Sequence, residues 1–426
     1  MPHASLDSPL GRVLALNGLR ALYQPIVDLE TATVVGYEAL ARGPEGSELQ
    51  RPDLLFQAAR REGRLGELAW RCRQVAYEGA LHAELKPPTA LFVNVEPETL
   101  GIPPSRSAEE ARQRARSELK VIHEITERGV VTRPAEMLRA VEELRGEGWG
   151  IAVDDLGADW GSLALLPFIR PDVVKLDRRL VSGAHEERAE RIGRAVRAYA
   201  EWSGAAIVAE GLETAAQIDR ARAMGATLGQ GYLFGRAAAL ELGARRPKAA
   251  AATALGGRQP AIGDETPVEV VERLLPMDVA TKSELLAMSI DLERRAQESP
   301  DSSVVLGTFQ TAERFTPATA DRYSSLARGS AFVGAFGTGL RQRPAPGVRG
   351  ASIPDNHRLA GEWNVICVGP HFAGALIASD LGDDGPDMER RFKFVNTRDR
   401  DVVVRAGRSL MLKVTEQGSA DRAVAA

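Results

Sequence analysis

Residues 151–166 read IAVDDLGADWGSLALL. An apolar run closes on two adjacent carboxylates, Asp154 and Asp155, and a glycine, a polar turn and the first residues of a helix follow. This is the pattern of a β-strand entering a βα loop. Like charges side by side repel unless a cation lies between them. The pair therefore directs attention to what other carboxylates share its neighbourhood.

Around it, β-rich runs alternate with helix-length segments: LYQPIVDL, TVVGYEAL, ALFVNVE, LKVIHEIT, GIAVDDL, DVVKLD, AAIVAEG and TLGQGYLF. Between the last of these, ERAERIGRAVRAYAEW repeats Ile192, Val196 and Tyr199 at i, i+4, i+7, an amphipathic helix. Repeated strand–helix units over about 245 residues predict an α/β fold of the (β/α)-barrel kind. A doubly wound sheet is the alternative, but no Gly-rich phosphate loop follows the first strand. Residues 244–267, ARRPKAAAATALGGRQPAIGDETP, are rich in Ala, Gly and Pro and lack sustained apolar periodicity. Beyond them SVVLGTF, SAFVGAFG, EWNVICVG, AGALIASDL, RRFKFVNT and DVVVRAG read as strands, with helices near 268–295 and 317–327. The expected organisation is a barrel over residues 1–243, a linker over 244–265 in which KAAAATAL has helical composition, a smaller α/β domain over 266–415, and a flexible tail over 416–426.

The composition excludes several classes. With 44% hydrophobic and 26% charged residues the chain is ordinary globular protein, and 426 residues suffice for two cores. A net charge of −4 offers no general basic surface for nucleic acid or anionic membrane. Cys72 and Cys367 are the only cysteines, which suits a reducing cytosol and rules out a disulfide framework or a zinc-finger pattern. The N-terminus MPHASLDSPLGRVLALNGLR lacks a signal-peptide apolar region, and no run of 18 apolar residues exists. The expectation is a cytoplasmic protein with no membrane span and no nucleic-acid partner.

In a barrel the chemistry sits where the strands end at one rim. GYEAL brings Glu38 there, VNVEP Asn94, IHEITE Glu124 and Glu127, VDDLG Asp154 and Asp155, VVKLD Lys175, VAEGLE Glu210 and Glu213, and GQGYLFG Gln230. Carboxylates with an amide make a hard-oxygen site that suits Mg²⁺ or Mn²⁺, with the paired aspartates placed to serve two ions. Two such ions are suited to phosphoester hydrolysis. Lys175 would orient an attacking water or neutralise developing charge, and Arg42, four residues after Glu38, would hold a phosphate. His123, which in a regular strand points away from Glu124, reads as a packing residue.

YEALAR resembles the signature of the EAL family of cyclic di-GMP phosphodiesterases. YQPIVDL, FVNVEP, EITE, DDLG, VVKLD, AEGLET and GQGYLFG accompany it in family order over residues 22–236. The resemblance implies a variant TIM barrel, often dimeric, that hydrolyses cyclic di-GMP to linear pGpG with Mg²⁺ or Mn²⁺. It places metal ligands at Glu38, Asn94, Glu124, Asp154 and Asp155. Catalytic roles fall on Lys175 and Glu210 together with Glu38 and the two aspartates, and substrate contacts on Arg42, Gln24 and Gln230. Glu127 takes the position that steadies the loop after the paired aspartates.

The departures lie in that loop, where Leu156 replaces a Phe, Asp159 a Gly and Gly161 a Ser. They leave the ligands intact and bear on turnover and dimer coupling. Ala41 stands for the usual Leu, and no GGDEF cyclase motif precedes the barrel. LGTFQTAERFTPATADRYSSLA, AFVGAFGTGL and GEWNVICVGPHFAGALIASDL resemble the DICT domain, which implies a sensory module with an unidentified ligand or protein partner. Three functions compete: a regulated cyclic di-GMP phosphodiesterase, a receptor that binds cyclic di-GMP without turnover, and a metal-dependent barrel hydrolase of another phosphodiester.

Overall fold

The computed structural model describes residues 8–15, 18–99, 101–126, 133–157, 160–183, 186–241, 265–298 and 303–414. Packing divides the chain into two compact units. One comprises Met1–Glu127, Ala140–Ala158 and Pro171–Gln259; the other comprises Arg128–Arg139, Asp159–Arg170 and Pro260–Ala426.

The first unit holds a closed eight-stranded barrel, in order β1 (Arg20–Asp28), β2 (Val34–Arg42), β3 (Ala90–Val95), β4 (Lys120–Thr126), β5 (Gly150–Leu156), β6 (Val173–Leu176), β7 (Ala206–Ala209) and β8 (Leu228–Gln230). All eight runs read from the sequence are strands. One strand departs from the all-parallel order of a regular (β/α)-barrel: β1 is antiparallel to both β2 and β8, while successive strands from β2 to β8 are parallel. The reason is local. Only residues 29–33 separate β1 from β2, and a parallel crossover needs roughly a dozen residues or more. Asp28 instead closes a tight turn, its Oδ1 accepting from the backbone N–H of Glu30 at 3.1 Å and of Thr31 at 2.8 Å.

Every barrel strand sends apolar side chains inward. Ile26, Val35, Ala90, Phe92, Ile122, Ala152, Val173, Val208 and Leu228 form one buried cluster beneath the polar rim. Each large side chain so buried stabilises the fold by about 1.5–3 kcal/mol. Around the barrel, helices begin where the sequence supplies caps: Ser105 accepts from Ala108 N at 3.3 Å before Arg106–Glu118, and Thr214 with Gln217 forms a capping box before Ala215–Ala223.

The second unit contains a seven-stranded sheet in the order β12-β11-β10-β13-β14-β15-β9. These strands are β9 (Asp278–Thr281), β10 (Val304–Thr311), β11 (Phe332–Thr338), β12 (Arg349–Ser352), β13 (Glu362–Val368), β14 (Ala373–Asp380) and β15 (Arg391–Thr397). Its core includes Leu285, Leu292, Val305, Tyr323, Val333, Val365, Leu376 and Phe392.

Three expectations change here. DVVVRAG is part of the helix Arg400–Met411, not a strand. Asp399 caps it, accepting from Asp401 N at 3.0 Å and Val402 N at 3.3 Å. Val402, Val403, Val404, Ala406, Leu410 and Met411 are buried along it, which outweighs the few tenths of a kcal/mol that each valine costs a helix. The helical reading of 268–295 breaks near Pro276 into Pro267–Glu272, β9 and Lys282–Gln297. The four-residue strands β9 and β12 were not foreseen. The central stretch of the linker, with KAAAATAL, and the C-terminal tail lie outside the described residues. Among the described residues, no helix is long and apolar enough to cross a membrane.

Candidate active site

The strand ends converge on Lys175. This residue of β6 is fully buried, and its Nζ stands 2.6 Å from Glu210 Oε1, 2.7 Å from Glu124 Oε1, 2.9 Å from Asp154 Oδ1 and 3.1 Å from Glu38 Oε2. An ammonium has three N–H donors, so four carboxylates cannot all be satisfied by it. Both oxygens of Glu124 and Oδ1 of Asp154 are buried and accept no hydrogen bond of good geometry. Amides complete the ring. Asn94 Nδ2 donates to Glu38 Oε1 at 3.2 Å, and Gln230 Nε2 to Glu38 Oε2 at 2.7 Å and Gln24 Oε1 at 3.2 Å. Gln24 in turn donates from Nε2 to the carbonyl of Gly235 at 3.2 Å.

The paired aspartates raise a geometric difficulty. Adjacent residues of a regular strand point to opposite faces. The register between β5 and β6 shifts between Val153 and Leu156, and Asp155 adopts the left-handed region at φ 57°. Such a bulge re-aims a side chain, and Asp is one of the few residues that visit this region readily. As a result ligand oxygens of Asp154, Asp155 and Glu210 lie within 4.8 Å of one another. Gly157 follows at φ 117°, where a Cβ would stand 2.6 Å from Leu180 Cδ1. Leu156, the residue between, is fully buried.

Burial pushes Glu124 well above the usual carboxylate range; repulsion from Glu38 and Asp154 adds to this, and Lys175 opposes it. Burial likewise raises Glu210 to about 8 against the pull of Lys175. Asp155 is raised by burial and then by Asp154 beside it. Burial alone would lower Lys175, but the surrounding carboxylates, Asp154 and Glu124 foremost, hold it well above its ordinary value. The donor set of carboxylates and amides, with no His or Cys, and its buried oxygens short of hydrogen bonds fit a hard divalent cation such as Mg²⁺ or Mn²⁺.

Glu38, Gln24, Asn94, Glu124, Asp154, Asp155, Lys175, Glu210 and Gln230 are thus brought together. Arg42 is not part of this ring; its Nη1 donates to the carbonyl of Ala41 at 2.8 Å. Glu127 and Asp159 lie outside the described residues. Sequence reasoning missed three residues that line the cleft of about 330 Å³ above the ring: Asp177, Arg178 and Tyr232. Asp177 ends the run that supplied Lys175 and caps the short helix Arg178–Val181. Tyr232 lies inside GQGYLF and is 57% exposed, with the Arg236 guanidinium 4.2 Å from its ring centroid.

A barrel rim built for a hard cation is what the EAL family carries, and the chain belongs to that family: its domain model matches residues 10–237. Residues 268–381 match a second family model, DICT, the sensory domain in diguanylate cyclases and two-component systems. Among curated proteins the chain is similar to the cyclic di-GMP phosphodiesterase RocR of Pseudomonas aeruginosa, 33% identical over 51% of this chain and 56% of that one. It is also similar to the uncharacterised protein y4lL of Sinorhizobium fredii, 31% identical over 53% of this chain and 28% of that one. The chain thus spans about half or less of the length of these relatives. Among solved structures it resembles the PaMucR phosphodiesterase in complex with c-di-GMP, at 26% identity and TM-score 0.48 over 54% of this chain and 95% of that one.

Proposed function

We propose that the chain hydrolyses cyclic di-GMP to linear pGpG with Mg²⁺ or Mn²⁺, acts as a homodimer in the cytoplasm, and is regulated by its DICT-like region. The observation that carries the reading is the ring of four carboxylates around one ammonium, with buried oxygens of Glu124 and Asp154 short of hydrogen bonds. Glu38, Asn94, Glu124, Asp154 and Asp155 would hold the ions. When bound, these supply Lewis acidity to the phosphoester. Lys175 keeps Glu38, Glu124, Asp154 and Glu210 in one arrangement and orients the attacking water. A water oxygen bonds to phosphorus as the water gives up a proton to a carboxylate of the ring, one P–O3′ bond breaks, and the leaving 3′ oxygen takes up one proton in its place. Gln24 and Gln230 offer amides to the nucleotide, Arg42 a guanidinium to its phosphate, and Tyr232 a flat ring for a base.

The altered loop after Asp155, with Leu156, Asp159 and Gly161, favours a second reading in which the site binds cyclic di-GMP without turnover. One experiment separates them. Purified protein is incubated with labelled cyclic di-GMP and Mg²⁺ or Mn²⁺, with and without EDTA, and the products are resolved by chromatography. Metal-dependent pGpG is expected. Retained binding with no product identifies the receptor, and neither binding nor product refutes both.

A further inference from the structure

The outer side of β4 carries a second polar centre that the proposed reaction does not use. Glu124 points into the barrel ring, and its neighbour His123 faces a cleft of about 160 Å³ lined also by Trp70, Arg73, Tyr77, Ile102 and Trp149. Arg73 is only 4% exposed, yet no described carboxylate pairs with it. Its Nε reaches the carbonyl of Ala69 at 3.3 Å, its guanidinium lies 3.6 Å from the centroid of Trp70, and its Nη2 is buried without a partner. A guanidinium does not deprotonate in a protein, and an unpaired buried charge is costly. The Arg73 guanidinium therefore lacks a paired anion.

His123 adds a second donor. It is 2% exposed, with Nε2 2.9 Å from the Tyr77 hydroxyl and Nδ1 buried without a partner. In the tautomer in which Tyr77 donates to Nε2, the ring proton sits on Nδ1 and can be donated to a carboxylate. Two carboxylates line the cleft and neither pairs with Arg73: Glu147 pairs with Arg112 and accepts from Trp149 Nε1 at 2.8 Å, and Glu143 is exposed. A lone water would answer the hydrogen-bonding need but not the charge. The apolar part of the wall is formed by the indole rings of Trp70 and Trp149 and by Ile102, and Trp149 is fixed edge-on to His123 at 5.2 Å between centroids. A cavity of about 150 Å³ accommodates benzene, so this one has room for a body of that size.

We propose that this cleft binds a small monocarboxylate with an apolar body, its carboxylate on Arg73 and His123 and its body against Trp70, Ile102 and Trp149. The site is independent of the cyclic di-GMP reading. The test uses the full chain, freed of metal by dialysis and held in low-anion buffer at pH 7. Sodium benzoate is titrated by calorimetry, with benzamide as the neutral isostere and inorganic phosphate as the anion without an apolar body. Saturable one-to-one binding with Kd on the order of 0.1–1 mM is expected, with benzamide and phosphate at least about tenfold weaker. Arg73→Met should weaken benzoate by about tenfold or more, and His123→Phe, a second variant that keeps the guanidinium, by a smaller factor. Glu38→Ala should bind benzoate like the parent. No saturable heat up to about 20 mM benzoate, far beyond that Kd range, overturns the proposal. Equal affinity for benzamide or phosphate, or undiminished binding by both cleft variants, overturns it too.

Discussion

Replacing Lys175 by Met keeps the length and the apolar stem of the side chain and deletes the ammonium. In the metal-free protein this strips Glu38, Glu124, Asp154 and Glu210 of the cation that stands 2.6–3.1 Å from each of them. Removing one partner of a buried ion pair costs about 3–5 kcal/mol. For a unit of this size that is a fall of about 6–20 °C in Tm. The pH dependence has a definite sign. Glu210 is already raised from 4.5 to about 8 although Lys175 pulls it down; without Lys175 it rises further. Between the unfolded and folded values the folded state then binds the extra proton, so stability falls as pH rises. The deficit relative to the parent is therefore small near pH 5 and large near pH 8. Thermal melts of both proteins at these two pH values, followed by circular dichroism, measure it, and Mn²⁺ at millimolar concentration should recover part of the loss. Equal Tm at pH 8, or a deficit independent of pH, would refute the view that Lys175 is the counter-ion of the ring.

Glu38→Ala should abolish hydrolysis while weakening nucleotide binding less, as seen by comparing turnover with calorimetric affinity; unchanged turnover removes Glu38 from the site. EDTA should abolish activity and Ca²⁺ should inhibit it, because Ca²⁺ prefers longer bonds and more ligands; equal rates with Ca²⁺ and Mg²⁺ in a steady-state assay would contradict the metal reading. His123, folded with a pKa of about 3 against an ordinary 6.5, makes the unfolded chain the better proton acceptor below about pH 6.5. Stability should fall as pH drops, by about 2 kcal/mol at pH 5, and urea melts of His123→Phe should lack that component of the slope. The triple variant Leu156→Phe, Asp159→Gly, Gly161→Ser should change turnover more than nucleotide affinity, since misplacement of catalytic groups by 1 Å can cost about 100-fold in rate; matching kcat would make the loop a neutral variation.

Much of the barrel was legible because its acidic residues interrupt apolar runs at one place in each unit, and burial of those runs leaves the carboxylates at the rim. The reversed β1 was overlooked although the short span before β2 encodes it. The convergence of Asp154 and Asp155 was legible only as a suspicion, since alternation along a strand argues against it and the backbone turn at Asp155 decides it. In the second unit, VVV invited a strand, yet the cap at Asp399 and burial along the helix prevailed. His123 was read as a packing residue, which holds for its contact with Tyr77 and not for Nδ1. Arg73, from a helix about fifty positions earlier in the chain, could not be placed beside it by any local pattern.

The two compact units are interleaved along the chain: residues 128–139 and 159–170 belong to the second, whereas the segments between and just after them belong to the first. A ribosome therefore delivers the second unit in instalments. The segment containing Leu163, Leu165, Leu166, Phe168 and Ile169, all buried in the finished protein, emerges at least 90 residues before residue 260 resumes that unit. At about 5–20 residues per second the wait is roughly 5–20 s. During it a greasy stretch directly downstream of Asp154 and Asp155 has no finished core to enter. Chaperone demand should peak in that interval, and a stop codon near Leu242 would make the interval permanent, leaving the strand that bears both aspartates joined to an orphaned piece of another unit.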